Sequence, residues 1–316
     1  MKFTLTKNTT NALKVFSALL VMVHHYVLFI MPPDVVISSW ILRGLEGQAG
    51  VLGVAIFFFL SGYGLMESEK HTHLSFKEFT ERRFFKVYLP VVLVTAIWMV
   101  VCEFVPGFTH PSDESVGRIV WGLLFSFNDA VMWFVRVLIG LYVIFYLFVL
   151  IYKRNPKGGL VFLVTATVGL IVVVVLHFGE FAAISVPLFP FGMVLSIYRD
   201  KRATVPVMLG FLVVLAVSYY YLYYLGLAVH ASVNFLIIAL IMVICSLRRI
   251  DIAVPAVLAL LSYDVYLIHN KVIMVISGQP HLHHFRIYLL ITAICTLLFF
   301  FLRTRLSCKK KSKSVV

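Results

Sequence analysis

The side chains best suited to chemistry in this chain lie where polar groups are costly. The run Asn11–Met31, NALKVFSALLVMVHHYVLFIM, is apolar and long enough to cross a bilayer, yet it holds Lys14, His24 and His25. Ionisable groups within hydrocarbon point to a function by default. On a helix turning about 100° per residue, Lys14 and His25 fall on one face, about 16 Å apart along the axis. His24 lies roughly 80° off that line, so the geometry singles out His25. Two readings stay open for the pair. They form a functional face, or the lysine snorkels to a helix end and the histidine only ties helices together.

Three further stretches carry polar groups of the right kind. In LLSYDVYLIHNKV, Leu260–Val272, the residues Ser262, Tyr266 and His269 follow i, i+4, i+7 and line one face. His269 lies at about the depth of His25, which lets two helices flank one cavity without requiring them to meet. In MWFVRVLIGLY, Met132–Tyr142, Trp133 is an interfacial aromatic and Arg136 stands a turn inside the boundary. Arg136 must face protein or water, where it can orient a polar acceptor or stabilise an oxyanion. In ERRFFKVYLP, Arg82, Arg83 and Lys86 cluster just before Pro90. Guanidinium forks match phosphate oxygens, so the cluster suits the phosphates of a nucleotide cofactor. Its plainer reading is a marker of membrane topology.

Other candidates fall away. HLHH, His281–His284, has no carboxylate close by, and Cys102, Cys245, Cys295 and Cys308 show no metal-ligand spacing. No metal is expected, nor a disulfide framework.

The elements that must position these residues follow from composition. The 316 residues are 61% hydrophobic and only 13% charged, far from the balance of a water-soluble domain. The pattern predicts an all-α, polytopic membrane helical bundle of about ten transmembrane helices. The spans are expected near 11–31, 46–66, 87–106, 131–152, 159–177, 181–198, 205–224, 230–247, 253–275 and 285–302. The small-residue motif Ser61, Gly62 and Gly64 in GVAIFFFLSGYGL suits close helix packing in the second span.

Charge placement sets the orientation. Lys70, Lys77, Arg82, Arg83, Lys86, Lys153, Arg154, Lys157, Arg199, Lys201, Arg202, Arg248 and Arg249 fall on one set of links, with the tail from Arg303. Asp34, Arg43, Asp113, Glu114, Arg118, Asp129 and Glu180 fall on the other. Both termini are therefore expected in the cytosol. The net charge of +13 reads as attraction to anionic lipid, not to nucleic acid. Residues 1–302 form the transmembrane domain and 303–316 a basic cytoplasmic tail. The first span lacks a small-residue cleavage site and is expected to stay as an anchor. A short interfacial helix is expected around 117–125. No link is long enough for a separate soluble enzyme domain, so any chemistry belongs to the bundle.

Taken together, these stretches resemble the acyltransferase-3 family of integral-membrane acyltransferases, many of which decorate cell-surface polysaccharides. KVFSALLVMVHH is similar to the family's first-helix signature, with Lys14 in place of the commoner Arg and His25 at the histidine. GVAIFFFLSGYGL, RRFFKVYLP, WFVRVLIGLY and LSYDVYLIHN resemble the next four motifs, in family order. Ala55 stands where many members carry an acidic residue and Asp264 where a small one is common. No additional C-terminal hydrolase-like domain of the kind some members carry is expected.

The resemblance implies an O-acyltransferase using acyl-CoA, with acetyl-CoA as donor substrate. Its phosphates would be held by Arg82, Arg83 and Lys86 with help from Lys14. His25 would be general base on an acceptor hydroxyl, with Arg136, Tyr266 and His269 as candidates for the oxyanion. A route through acyl-histidine is the alternative chemistry. The implied partners are a glycan or lipid-linked glycan and membrane lipids, and the implied location is a bacterial cytoplasmic membrane. A transporter or flippase for a lipid-linked saccharide is the rival function. A glycan polymerase would need larger outer loops.

Overall fold

The computed structural model describes residues 3–312 apart from 4, 74, 105–106, 109–110, 127–131, 202–203, 222–227 and 248–249. Asp129, Arg202, Arg248 and Arg249, which entered the charge pattern, lie outside the described residues. The described residues contain helices and no strand.

The chain starts with α1 (Lys7–Phe29), whose N-cap Thr6 accepts from the Thr9 amide. Two short helices follow, α2 (Pro33–Ser38) and α3 (Trp40–Gly44). A π turn at Leu45–Ala49 leads into α4 (Gly50–Thr72). The short α5 (Phe76–Phe79) and a second π turn, Thr80–Phe84, open α6 (Phe85–Cys102). Next come α7 (Val116–Trp121), within the stretch where a short helix is expected, α8 (Trp133–Arg154), α9 (Pro156–Phe178), α10 (Glu180–Ala183) and α11 (Leu188–Tyr198). The chain closes with α12 (Thr204–Tyr221), α13 (Ala228–Leu247), α14 (Ala256–Ser277) and α15 (Phe285–Ser312). Among the described residues nine helical stretches are long and apolar enough to cross a membrane. The expected seventh span corresponds to α12, whose shorter apolar stretch is Thr204–Val217. α15 runs on to Ser312, so the first part of the basic tail continues the last helix.

The outer surface is what hydrocarbon would select. Val161, Val164, Val168, Val172 and Leu176 form an exposed stripe on α9, a patch no soluble monomer of this size tolerates. Buried packing centres on α4. It lies against α1 on one side and α11 on the other, while α14 packs on both α1 and α15.

Close approach explains that centre. A Cβ at Gly62 would overlap the Phe189 carbonyl, and one at Gly192 would overlap the Phe59 carbonyl, so α4 and α11 cross backbone to backbone. On the α1 side a Cβ at Gly53 would come within 2.7 Å of the Ser17 carbonyl oxygen. Such small-residue contacts drive helix association in lipid. The SGYG motif is thus half a packing site: Gly62 is used, whereas nothing lies within 4 Å of a Cβ at Gly64.

The start of α1 is tied to the link before α14. Thr6 and Asn8 donate to the Asp251 carboxylate, at 2.8 and 3.0 Å, and Asp251 precedes α14. On this basic face, cations that mark topology also tie helices. Arg199 pairs with Glu67 at 2.7 Å, joining α11 to α4. Lys153 pairs with the buried Glu69 at 2.7 Å, joining α8 to α4.

Gly62→Ala is expected to destabilise the fold by about 1–3 kcal/mol, since the added methyl meets backbone that cannot yield. Gly64→Ala should leave stability unchanged or slightly raise it. Thermal unfolding of the two variants in one detergent makes the comparison.

Candidate functional site

The site forms where α1 and α14 face each other. His25 Nδ1 and His269 Nε2 are 2.7 Å apart, and the rings lie nearly parallel, 7° between planes and 5.0 Å between centroids. The two histidines that shared only a depth in sequence are thus in direct contact. Tyr266, one turn before His269, sets its ring 5.7 Å from the His269 ring and packs edge-on against Phe134 of α8 at 5.0 Å.

The pattern of acceptors fixes the protons. His269 Nδ1 lies 3.2 Å from the Val265 carbonyl oxygen, which can only accept, so a neutral His269 carries its proton on Nδ1. Its Nε2 is then the acceptor for the His25 Nδ1 proton. Neutral His25 therefore keeps the lone pair on Nε2. His269 is fully buried, whereas His25 retains partial exposure. The arrangement has the logic of a base whose second nitrogen is oriented by a buried acceptor, which also stabilises the imidazolium once a proton arrives.

His24 has another task. Its Nδ1 meets the Leu45 carbonyl at 3.2 Å, and its ring fills the space beside Gly50, where any Cβ would collide with it. It fastens α1 to the π turn before α4.

The three basic residues before α6 separate. Arg82 and Arg83 lie in the π turn at Thr80–Phe84, and neighbouring positions on a helix point in different directions. Arg83 points inward and donates to the Ser68 hydroxyl at 2.8 Å. Arg82 is exposed and lies 3.5 Å from Glu78; Lys86 is exposed as well. Lys14 lies within electrostatic reach of Arg83, so α1 and the π turn together gather two cations at the basic end of the bundle. Two cations converging in a half-buried place suit an anion of several charges.

Sequence reasoning passed over two residues linked to this cluster. Tyr142 of α8 is within electrostatic reach of Arg83 and of Tyr263. Tyr263 donates to the Val87 carbonyl at 2.8 Å. Tyr263 precedes Tyr266 by three positions and so shares its side of α14. That spacing was the available signal.

Arg136 takes a different position. Its guanidinium lies over the Phe178 ring at 4.6 Å, towards α9. It is about 200° around α8 from Phe134, the residue that meets Tyr266. His283, from the HLHH turn, directs Nε2 at the Ile276 and Ser277 carbonyls, at 3.1 and 3.2 Å, and so closes the end of α14.

A family model described as an acyltransferase domain matches residues 9–305. The chain belongs to the acyltransferase-3 family. The match takes in both histidines, the basic π turn and every helix from α2 to α14. The protein is therefore a multi-pass membrane acyltransferase. Comparisons with curated proteins and with solved structures found no match.

Asp264, where the family commonly has a small residue, has a structural use in this acyltransferase. The carboxylate is fully buried and accepts from Arg303 of α15 at 2.9 Å. Removing one member of such a pair strands a charge in the bundle. Arg303→Met is expected to destabilise the protein by about 3 kcal/mol. Asp264→Leu combined with Arg303→Met should regain most of that. Thermal unfolding with acyl transfer measured alongside separates this structural role from a catalytic one.

Proposed function

We propose that this acyltransferase moves an acyl group, acetyl in the first instance, from cytosolic acyl-CoA to a hydroxyl of a cell-surface or lipid-linked glycan. The setting is a bacterial cytoplasmic membrane. The observation that carries the reading is the 2.7 Å contact of His25 Nδ1 with His269 Nε2, together with the Val265 carbonyl behind it. This pattern leaves His25 Nε2 as the base.

The donor enters at the basic face. Its phosphates meet Arg83 and Lys14, with Arg82 and Lys86 at the exposed rim. The arm between phosphates and thioester then bridges the roughly 16 Å that separates Lys14 from His25 along α1. At the far end His25 Nε2 takes the proton of the acceptor hydroxyl as its oxygen attacks the thioester carbonyl. The tetrahedral oxyanion needs a donor, and Tyr266, beside His269, is placed better for this than Arg136. Collapse breaks the carbon–sulfur bond. The imidazolium returns its proton to the leaving thiolate, giving an ester and free CoA. His269 accepts from His25 Nδ1 throughout and so steadies the charged intermediate state of the ring.

The test uses purified protein in detergent or vesicles with acetyl-CoA and a glycan acceptor, following thiol release and ester formation. His25→Ala with folding retained should lower turnover about 10²–10⁴-fold. Undiminished turnover in that variant would overturn the reading, and a flippase would release no thiol at all. Arg83→Ala should raise KM for acetyl-CoA about tenfold with a smaller change in kcat, whereas Arg82→Ala should change KM less, because Arg83 alone is turned inward.

A further inference from the structure

His25 is partly exposed. One turn further along α1, away from Lys14, stands Phe29, whose ring centroid is 5.7 Å from that of His25. Phe29 is itself half exposed. The link that follows keeps this apolar character. Ile37 of α2 is 68% exposed, and Trp40 and Ile41 of α3 are 77% and 54% exposed. Of the α2 residues only Val36 is buried.

In water such a patch would mark a binding surface. Length decides what covers it in this protein. α1 starts at the basic face, where Thr6 donates to Asp251. Its 23 residues make it about 34 Å long. The hydrocarbon of a bilayer is about 30 Å thick, and about 40–45 Å with its head groups. α1 therefore leaves hydrocarbon near Phe29, and α2 and α3 fall at the level of the head groups. Tryptophan is favoured at that level, and the exposed Asp34 and Arg43 of the same segment suit it as well. Leu28 and Phe29 are exposed at the end of α1, so the apolar surface continues in sequence from the membrane-spanning helix. α3 runs directly into the π turn at Leu45–Ala49, which His24 fastens to α1. The segment is thus tied to the helix that carries His25.

We propose that α2 and α3 lie in the head-group layer of the leaflet opposite the basic face and form a lipid-side rim of the site, so that the acceptor served by His25 is one held in the bilayer by an apolar chain. This rests on the acyl transfer proposed above and narrows its acceptor to the lipid-linked class.

The test places the full chain in phospholipid vesicles with acetyl-CoA and two probe acceptors, octyl β-glucoside and methyl β-glucoside. The sugar is the same and only the apolar chain differs. The octyl glycoside is kept below the concentration that dissolves the vesicles. Its kcat/KM should exceed that of the methyl glycoside at least tenfold. Ile37→Ser combined with Trp40→Ser should lower kcat/KM for the octyl glycoside about tenfold through lost apolar contact. The same variant should leave the methyl glycoside and the KM for acetyl-CoA unchanged. A nitroxide on Ile37→Cys, in a chain whose native cysteines are serine, reads depth independently of turnover. Oxygen dissolved in lipid should relax it more than a water-soluble nickel complex does. Equal use of the two glucosides would overturn the proposal, and so would a label at position 37 that faces water. Failure of the underlying reading looks different: the wild type would release no thiol with either glucoside, and the acceptor assignment would fall with it.

Discussion

An imidazole in hydrocarbon must find a partner, because an unsatisfied polar group there costs several kcal/mol. His25 and His269 meet that demand in each other, and much of the bundle follows from holding them together. The contact requires α1 and α14 to lie side by side. α1 is held from the other flank by α4, whose Gly53 admits the α1 backbone. His269 cannot turn freely because its other nitrogen is committed to the Val265 carbonyl. The same commitments that satisfy two buried rings also leave one nitrogen of His25 with an available lone pair. Solvation and reactivity are two consequences of one hydrogen-bond pattern.

The basic face shows a similar economy. A cation there orients the chain in the membrane, and several are also paired across helices. Glu67 and Glu69 near the end of α4 take up Arg199 and Lys153, so the central helix is fixed to α11 and α8 at that end. Arg83 is different in kind. It donates inward to Ser68 and lies within electrostatic reach of Lys14 and Tyr142. Neighbouring residues on a helix point about 100° apart, and it is the packing of this turn against α4 that puts Arg83 on Ser68 while Arg82 and Lys86 stay exposed.

Much of this was legible in the sequence. Apolar runs at span length gave the helical membrane bundle, because backbone in lipid must satisfy itself. Helical spacing picked His25 over His24, and the structure places His24 against Leu45 and His25 against His269. The polar face of Tyr266 and His269 was likewise plain. Arg136 was not so readable. Its depth shows that it needs a polar or aromatic environment, but only the rotation of α8 against its neighbours shows that Phe178 supplies it. Asp264 reads as a departure from family pattern until Arg303, 39 positions later, is seen beside it.

What the sequence determined by itself is the set of spans and the face of each helix that carries polar groups. Both depend on local periodicity and on the cost of transfer into hydrocarbon. What only the tertiary structure decided is which polar faces meet: His25 with His269, Arg83 with Ser68, Asp264 with Arg303. The reason is physical. In lipid every apolar face is equally content beside a neighbouring helix or an acyl chain, so partner choice rests on close packing at a few glycines and on buried polar contacts, neither of which is written in the spacing of a single helix.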